Sequence, residues 1–286
     1  MLHISVIFAL LSLFFAGLND VLFKKYARKD RSRGMYVLGI GITWTVLQVF
    51  TFIIKDVPFV LDSITFTYGL TAGLFLTLSN ILLLHSLTRI NISLGSTIYR
   101  LNTIGVVILS FFVLHEPFGP IKFIGVTFGI VAVLFFYQKR DYNNHINYPL
   151  SFFWAVIIAS IFRATYGVVA KAGILAEADP ELMLLLISSS WIFGGACYAK
   201  YREKRFRFTW KKATYSILSG ILVFFIVNFL MLAIEHGQAS VVIPIANMSF
   251  VIALFISVIL RMEGLTLRKC FAIGSAAVSI ILLAQV

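Results

Sequence analysis

Ten apolar stretches separated by short polar punctuation run along the chain, at 4–23, 35–54, 66–87, 92–114, 120–138, 150–172, 182–199, 213–234, 239–260 and 268–285. A helix needs roughly 20 apolar residues to cross a ~30 Å hydrocarbon layer, so the pattern predicts ten transmembrane helices. The third and fourth stretches are split only by Thr88 to Asn91, and the eighth and ninth by Glu235 to Gln238. Each pair is therefore expected to form a tight antiparallel hairpin.

The pattern is written twice. Stretches starting at 35, 66 and 92 return 147 residues later at 182, 213 and 239, and the one starting at 120 returns at 267 or 268. The same offset relates Lys24 to Lys171, Trp44 to Trp191, Ser93 to Ser240, Ser110 to Ser257, Glu116 to Glu263 and Lys122 to Lys269. The expected organisation is an all-α, polytopic membrane protein with a first five-helix unit at 1–139, a linker at 140–147 and a second unit at 148–286. Five is odd, so the second unit enters the membrane from the opposite side. Such inverted repeats characterise secondary transporters, whose halves rock about a site near the bilayer midplane.

Composition narrows the class further. Of 286 residues, 60% are hydrophobic and 13% charged, against about a quarter charged in soluble domains, which excludes a soluble enzyme. A formal net charge of +12 raises nucleic acid as a partner, but the basic residues sit in short loops between apolar runs, where they orient helices instead. Nineteen of the 24 Lys and Arg follow odd-numbered stretches and three follow even-numbered ones. The odd loops are expected in the cytoplasm and both chain ends outside, in a bacterial inner membrane. The chain opens on an apolar run without a basic n-region or cleavage site, so the first helix is expected to be retained. Cys197 and Cys270 lie within apolar runs, lack metal-ligand spacing and read as core residues.

Short motifs support a resemblance. Ser86 to Gly129 and Ala233 to Ala276 each run from a small residue through a hairpin containing Ser93 or Ser240, along an apolar helix, to Glu116 or Glu263. Glu116-Pro117 is followed by Gly125 and Gly129, whereas the second copy has Gly264, Ala272 and Ala276 at those places. This resembles the drug/metabolite transporter superfamily, in particular its EamA-like ten-helix members. The resemblance implies a carrier of small metabolites with a central cavity. It also implies cytoplasmic chain ends, which the charge count contradicts. The membrane-embedded glutamate of the first helix in related small proton-coupled exporters has no counterpart here.

Two arginines lie inside stretches rather than between them. At 1.5 Å per residue, Arg100 is about 12 Å and Arg163 about 20 Å from the cytoplasmic ends of their helices. An intramembrane guanidinium costs at least ~2.5 kcal/mol on insertion scales, so it faces a polar interior. Either it binds a ligand or it is tied structurally to backbone carbonyls. Ser96, Thr97 and Thr103 share a face with Arg100, and Ser160, Tyr166 and Gly167 share one with Arg163. Asn247 is the repeat partner of Arg100. Asn80 and Asn228 occupy near-equivalent positions, 148 residues apart, and Trp44 sits in mid-helix, either lining a cavity or packed in the core. Gly125 and Gly129 read as a close-packing pair. Asp20 is expected to pair with Lys24 one turn on, and His85 and Glu235 to be interfacial.

The leading expectation is a secondary carrier of a small anionic or zwitterionic metabolite, working by alternating access. Its substrate-binding residues would be Arg100, Arg163, Asn80, Asn228, Asn247, Tyr166, Thr103, Ser96 and Trp44. An exporter of amino acids or neutral hydrophobic compounds, and a lipid flippase or lipid-carrier subunit, are the alternatives. No catalytic constellation converges within the stretches, so no enzyme and no cofactor or metal is expected. The partners are the small-molecule substrate and the lipid bilayer, and the protein is a monomer or a homodimer.

Overall fold

The computed structural model describes residues 4–27, 32–56, 59–60, 62–87, 89–90, 92–136, 150–203, 210–260 and 265–286. The expected linker at 140–147 and Glu263 lie outside these residues. Every regular element described is helical: α1 (Ile4–Ala27), α2 (Arg33–Ile54), α3 (Ser63–Ser86), α4 (Ile92–Arg100), α5 (Asn102–Val113), α6 (Pro120–Phe136), α7 (Leu150–Leu175), α8 (Pro180–Tyr198), α9 (Trp210–His236), α10 (Ala239–Ala246), α11 (Phe250–Ile259) and α12 (Leu267–Leu283). A π-helical turn at Ala199–Glu203 prolongs α8, and a 3-10 turn at Asn247–Ser249 joins α10 to α11. Ser32, Asp62, Asp179 and Thr266 begin α2, α3, α8 and α12, each accepting from the amide three residues on. Each such bond satisfies a donor that a helix start leaves open.

Eight stretches are long and apolar enough to cross a membrane, with α4–α5 and α10–α11 contributing one stretch each. The helices α6 and α12 are shorter, at 17 residues each. The fourth and ninth expected helices are not continuous. Breaks fall at Leu101 and at Met248, which has φ −82° and ψ 17°, and these two residues occupy equivalent places in the repeat. In the second copy Pro244 lies within α10, where it has no amide to donate and its ring crowds the carbonyl four residues back. No proline lies in α4 or α5 of the first copy, and the Asn102 side chain instead draws off the carbonyl of Tyr99 at 2.9 Å.

The contacts between helices are reciprocal. Helix α1 packs on α9 as α7 packs on α3, α2 on α9 as α8 on α3, and α11 on α1 as α5 on α7, while α2 meets α8 and α6 meets α12. Exchanging the two halves maps this set onto itself. The self-related pairs run antiparallel: Gly34 faces Ala199, Gly41 faces Ile192 and Gln48 bonds Glu181 between α2 and α8. Likewise Gly125 faces Leu283 and Gly129 faces Ser279 between α6 and α12. Equivalent helices therefore point in opposite directions.

Glycine sets how closely these pairs approach. A Cβ on Gly34 would stand 2.5 Å from the Ala199 nitrogen, and one on Gly195 2.5 Å from the Leu38 nitrogen, so main chain meets main chain. At α6 a Cβ on Gly125 would lie 3.0 Å from Leu283 and one on Gly129 2.8 Å from Met248. The two free cysteines, Cys197 and Cys270, are exposed on α8 and α12, which corrects their reading as core residues. An apolar stretch does not reveal which of its faces a thiol occupies.

Candidate functional site

The site is built where the two broken helices meet. Arg100, the last residue of α4, donates from Nη1 to the main-chain oxygen of Asn247 at 2.8 Å and to Ser249 Oγ at 2.9 Å. Its Nη2 donates to Asp20 Oδ2 at 2.5 Å, and Ser249 Oγ donates to the same oxygen at 2.9 Å. In return, Asn247 Nδ2 donates to Asn102 Oδ1 at 2.7 Å and to Thr103 Oγ1 at 3.2 Å. The Arg100 guanidinium also lies 5.4 Å from the Phe250 ring centroid. Asp20, expected to pair with Lys24, pairs with Arg100; the Lys24 side chain is outside the described residues.

This arrangement supplies donors to two of the main-chain oxygens at the breaks. Carbonyls freed from a helix inside a membrane must find other donors. Asn247 O takes Arg100, while Tyr99 O takes both Asn102 Nδ2 and Ser160 Oγ at 3.3 Å. The Tyr99 hydroxyl in turn meets Ser79 Oγ at 3.0 Å. Polar side chains thus connect the two breaks to the face of α7 that carries Ser160.

Arg163 lies one turn further along α7. Residues three, four and seven positions away share its face, and Val156, Ala159, Ser160, Tyr166, Gly167 and Ala170 are buried there. Trp154, Ile158 and Ile161 on the other side are exposed. The guanidinium therefore projects into the bundle, where it stacks 5.3 Å from the Tyr166 ring centroid. Among the described residues it donates to no side-chain or main-chain acceptor, and it remains half-buried. A separate groove of about 210 Å³ lies between α4–α5 and α7, lined by Ile98, Leu101, Asn102, Gly105, Ile157, Ser160 and the exposed Ile161, and Arg163 is not among its lining residues.

The other candidate residues have separate contacts. Asn80 and Asn228 each donate to the carbonyl four residues back, at 2.8 Å in both cases. Asn228 also reaches Gln48, which reaches Glu181, both at 3.0 Å, and Glu181 holds Lys55. Trp44 is fully buried, edge to face with Trp191 at 5.8 Å and 81°, and neither indole nitrogen is hydrogen-bonded among the described residues. Ser96 sits one turn before Arg100 on α4. The structure thus unites Arg100, Asn247 and Thr103, and pairs Arg163 with Tyr166, while Asn80, Asn228 and Trp44 stand elsewhere. His85 stacks on Phe152 at 5.0 Å, and Glu235 is exposed.

One network was not read from the sequence. His115, two residues past the end of α5, takes a left-handed φ of 54° immediately before Glu116. Glu116 accepts from the amides of Ala239 at 2.6 Å and Ser240 at 2.9 Å, and from Ser240 Oγ. Lys122 donates to Pro117 O at 2.6 Å, to Ser240 Oγ at 2.9 Å and to Gln238. Both charged residues are buried, and the carboxylate sits at the positive end of the α10 dipole. The Glu-Pro turn of the first half therefore clamps the broken helix of the second. Gln48 was also missed, although an amide in the middle of an apolar stretch was a visible signal.

Two interlocked, oppositely directed helical units with broken central helices and buried charged residues make up the fold. The family model of the EamA-like transporter family matches residues 3–138 and again 150–285, and the chain belongs to that family. Both matches begin and end 147 residues apart. A solved crystal structure superposes with a TM-score of 0.80 at 11% identity, covering 98% of each chain, which shows a shared fold. No match exists among curated proteins.

Proposed function

We propose that the protein is a secondary carrier that moves a small anionic or zwitterionic metabolite by alternating access. Arg163 binds an anionic group of the substrate, with Tyr166 beside it, and the Arg100 cluster binds at the junction of the two halves. The observation that carries this reading is a guanidinium on the inner face of α7 that no protein acceptor satisfies among the described residues. Such a charge is retained in a membrane where it has a task. In this reading α6 and α12 also cross the bilayer, giving ten crossings in two units, 1–139 and 148–286. The chain ends lie outside a bacterial inner membrane, as the charge count argues.

The test is a thermal-shift screen of the purified protein against anionic, zwitterionic, neutral and cationic metabolites, because a ligand that binds only the folded form raises its melting temperature. Stabilisation by anions or zwitterions, lost in Arg163→Ala, supports the assignment. Stabilisation by cations alone would overturn it.

A further inference from the structure

We propose that the groove between α4–α5 and α7 seats one acyl chain of an anionic phospholipid, whose phosphate is held by Arg89 at the end of the α3–α4 hairpin. The site is separate from the Arg100 cluster and from Arg163, and it stands whether or not the protein is a carrier.

Both walls of the groove belong to stretches long and apolar enough to cross a membrane, Gly95–Val113 and Leu150–Leu175. Ile104 on α5 and Ile158 and Ile161 on α7 are exposed beside or within its lining, so it opens sideways to lipid. Its two polar lining side chains are already engaged. Asn102 donates to Tyr99 O at 2.9 Å and accepts from Asn247 at 2.7 Å, and Ser160 Oγ donates to Tyr99 O at 3.3 Å. The rest of the lining is aliphatic or glycine. A polar metabolite would lose its water there for few hydrogen bonds in return, whereas an alkyl chain loses nothing.

The repeat shows which side chains open the groove. In the second copy the places of Gly105, Ala164 and Ser160 are taken by Ile252, Gly17 and Leu13. There Ile252 lies hard against α1, since a Cβ on Gly17 would stand 2.5 Å from Ile252 Cβ. In the first copy a Cβ on Gly105 would stand 2.9 Å from Ala164 Cβ, so two small residues meet. The first copy thus lacks the branched side chains that Ile252 and Leu13 bring to the equivalent seam, and the space they would fill stays open. Walls that face a void forfeit dispersion contacts. The filler that a bilayer provides is a lipid chain.

Depth and charge fix the class of lipid. From the start of α4 at Ile92, the lining begins at Ile98, about 9 Å down at 1.5 Å per residue, and reaches Leu101 near the midplane of a ~30 Å layer. The chains of one leaflet cover this depth. Arg89 lies in the turn after α3, exposed, with its amide bonded to Ser86 O at 3.0 Å. Its guanidinium has no protein partner among the described residues. His85, one turn earlier, stacks on Phe152 at 5.0 Å, which brings this hairpin beside the start of α7 and over the head of the groove. A guanidinium at headgroup level matches a lipid phosphate in charge and in its paired donors.

Native mass spectrometry of the full-length protein reads the site, with phosphatidylglycerol and phosphatidylcholine of identical chains added in turn. Wild type is expected to retain one phosphatidylglycerol at collision energies that strip phosphatidylcholine. Arg89→Gln is expected to bind it about fivefold less tightly, the effect of one basic side chain at an anionic lipid surface. The triple variant Gly105→Ile/Ala164→Gly/Ser160→Leu, which writes the side chains of the second copy into the first, is expected to lose the retained lipid. Should it fail to fold, Ser160→Leu alone narrows the groove and is expected to weaken retention. Glycerol 3-phosphate, a phosphate without chains, is expected not to displace the lipid. Equal retention of the two lipids by wild type, undiminished retention in Arg89→Gln or in the filled groove, or displacement by glycerol 3-phosphate overturns the proposal.

Discussion

Arg100 donates to the main-chain oxygen of Asn247, the residue that holds its own place in the second half of the chain. Asn247 answers through Asn102, whose counterpart, Ser249, completes the grip on Arg100. Each break in a central helix is thus braced by side chains from the other half, and the braces differ chemically although their positions match.

The Asn102–Asn247 bond is expected to couple the halves modestly. Hydrogen bonds between membrane helices average about 0.6 kcal/mol in double-mutant cycles. A cycle of Asn102→Ala and Asn247→Ala, read by unfolding in mixed micelles, should return a coupling of about that size. Strict additivity of the two would remove the brace.

Arg163→Ala should leave the melting temperature near that of wild type, because no bond in the described structure is lost with it. Ligand affinity should fall roughly tenfold to a hundredfold, the value of about 1.5–3 kcal/mol for a hydrogen bond to a charged group. Arg163→Lys should recover part of the loss, since a lysine supplies charge without the planar fork.

Glu116→Ala should be among the most destabilising single changes. It leaves two amides of α10 and the Ser240 hydroxyl without their acceptor, and each buried donor left unsatisfied costs about 1–3 kcal/mol. Glu116→Gln keeps an acceptor oxygen and should cost less. Thermal unfolding of both variants distinguishes a clamp from an incidental contact, which would give equal, small shifts.

Gly195→Leu should prevent folding or sharply lower the melting temperature, because its side chain would enter the Leu38 main chain. Overpacking of this kind costs about 1–3 kcal/mol or more. Gly274→Ala, where an added Cβ meets nothing within 4 Å, should be tolerated. Matched losses in the two variants would show that the seam is looser than described.

Side-selective labelling of single cysteines checks the orientation. Cysteines introduced near Lys200 should react from the cytoplasmic face and those near Lys55 from the outside. The reverse pattern would turn the molecule over and bring it into line with the cytoplasmic chain ends that the family resemblance implies.

The apolar stretches and the repeat were legible because membrane insertion demands long uncharged runs and duplication preserved their spacing. Arg100 and Arg163 stood out for the same reason, as charges where charges are costly. Partners were not legible: Asp20 has a lysine one turn away in sequence, but its neighbour in space comes from α4. The break at Leu101 lies in a stretch with neither proline nor glycine beside it, and there a side chain competes for a carbonyl. Pro244 was a visible signal for the other break, although the apolar run at 239–260 predicts one continuous helix. Glu116 was visible as part of a motif, yet its task as a cap depends on a helix 123 positions away.

The α2/α8 seam has a mechanical consequence. Where backbones touch, no cushion of side chains remains to shear, so this line can pivot but cannot slide. In the carrier reading proposed above, an opening toward one side of the membrane and then the other would swing around it, as the covers of a book turn about the spine.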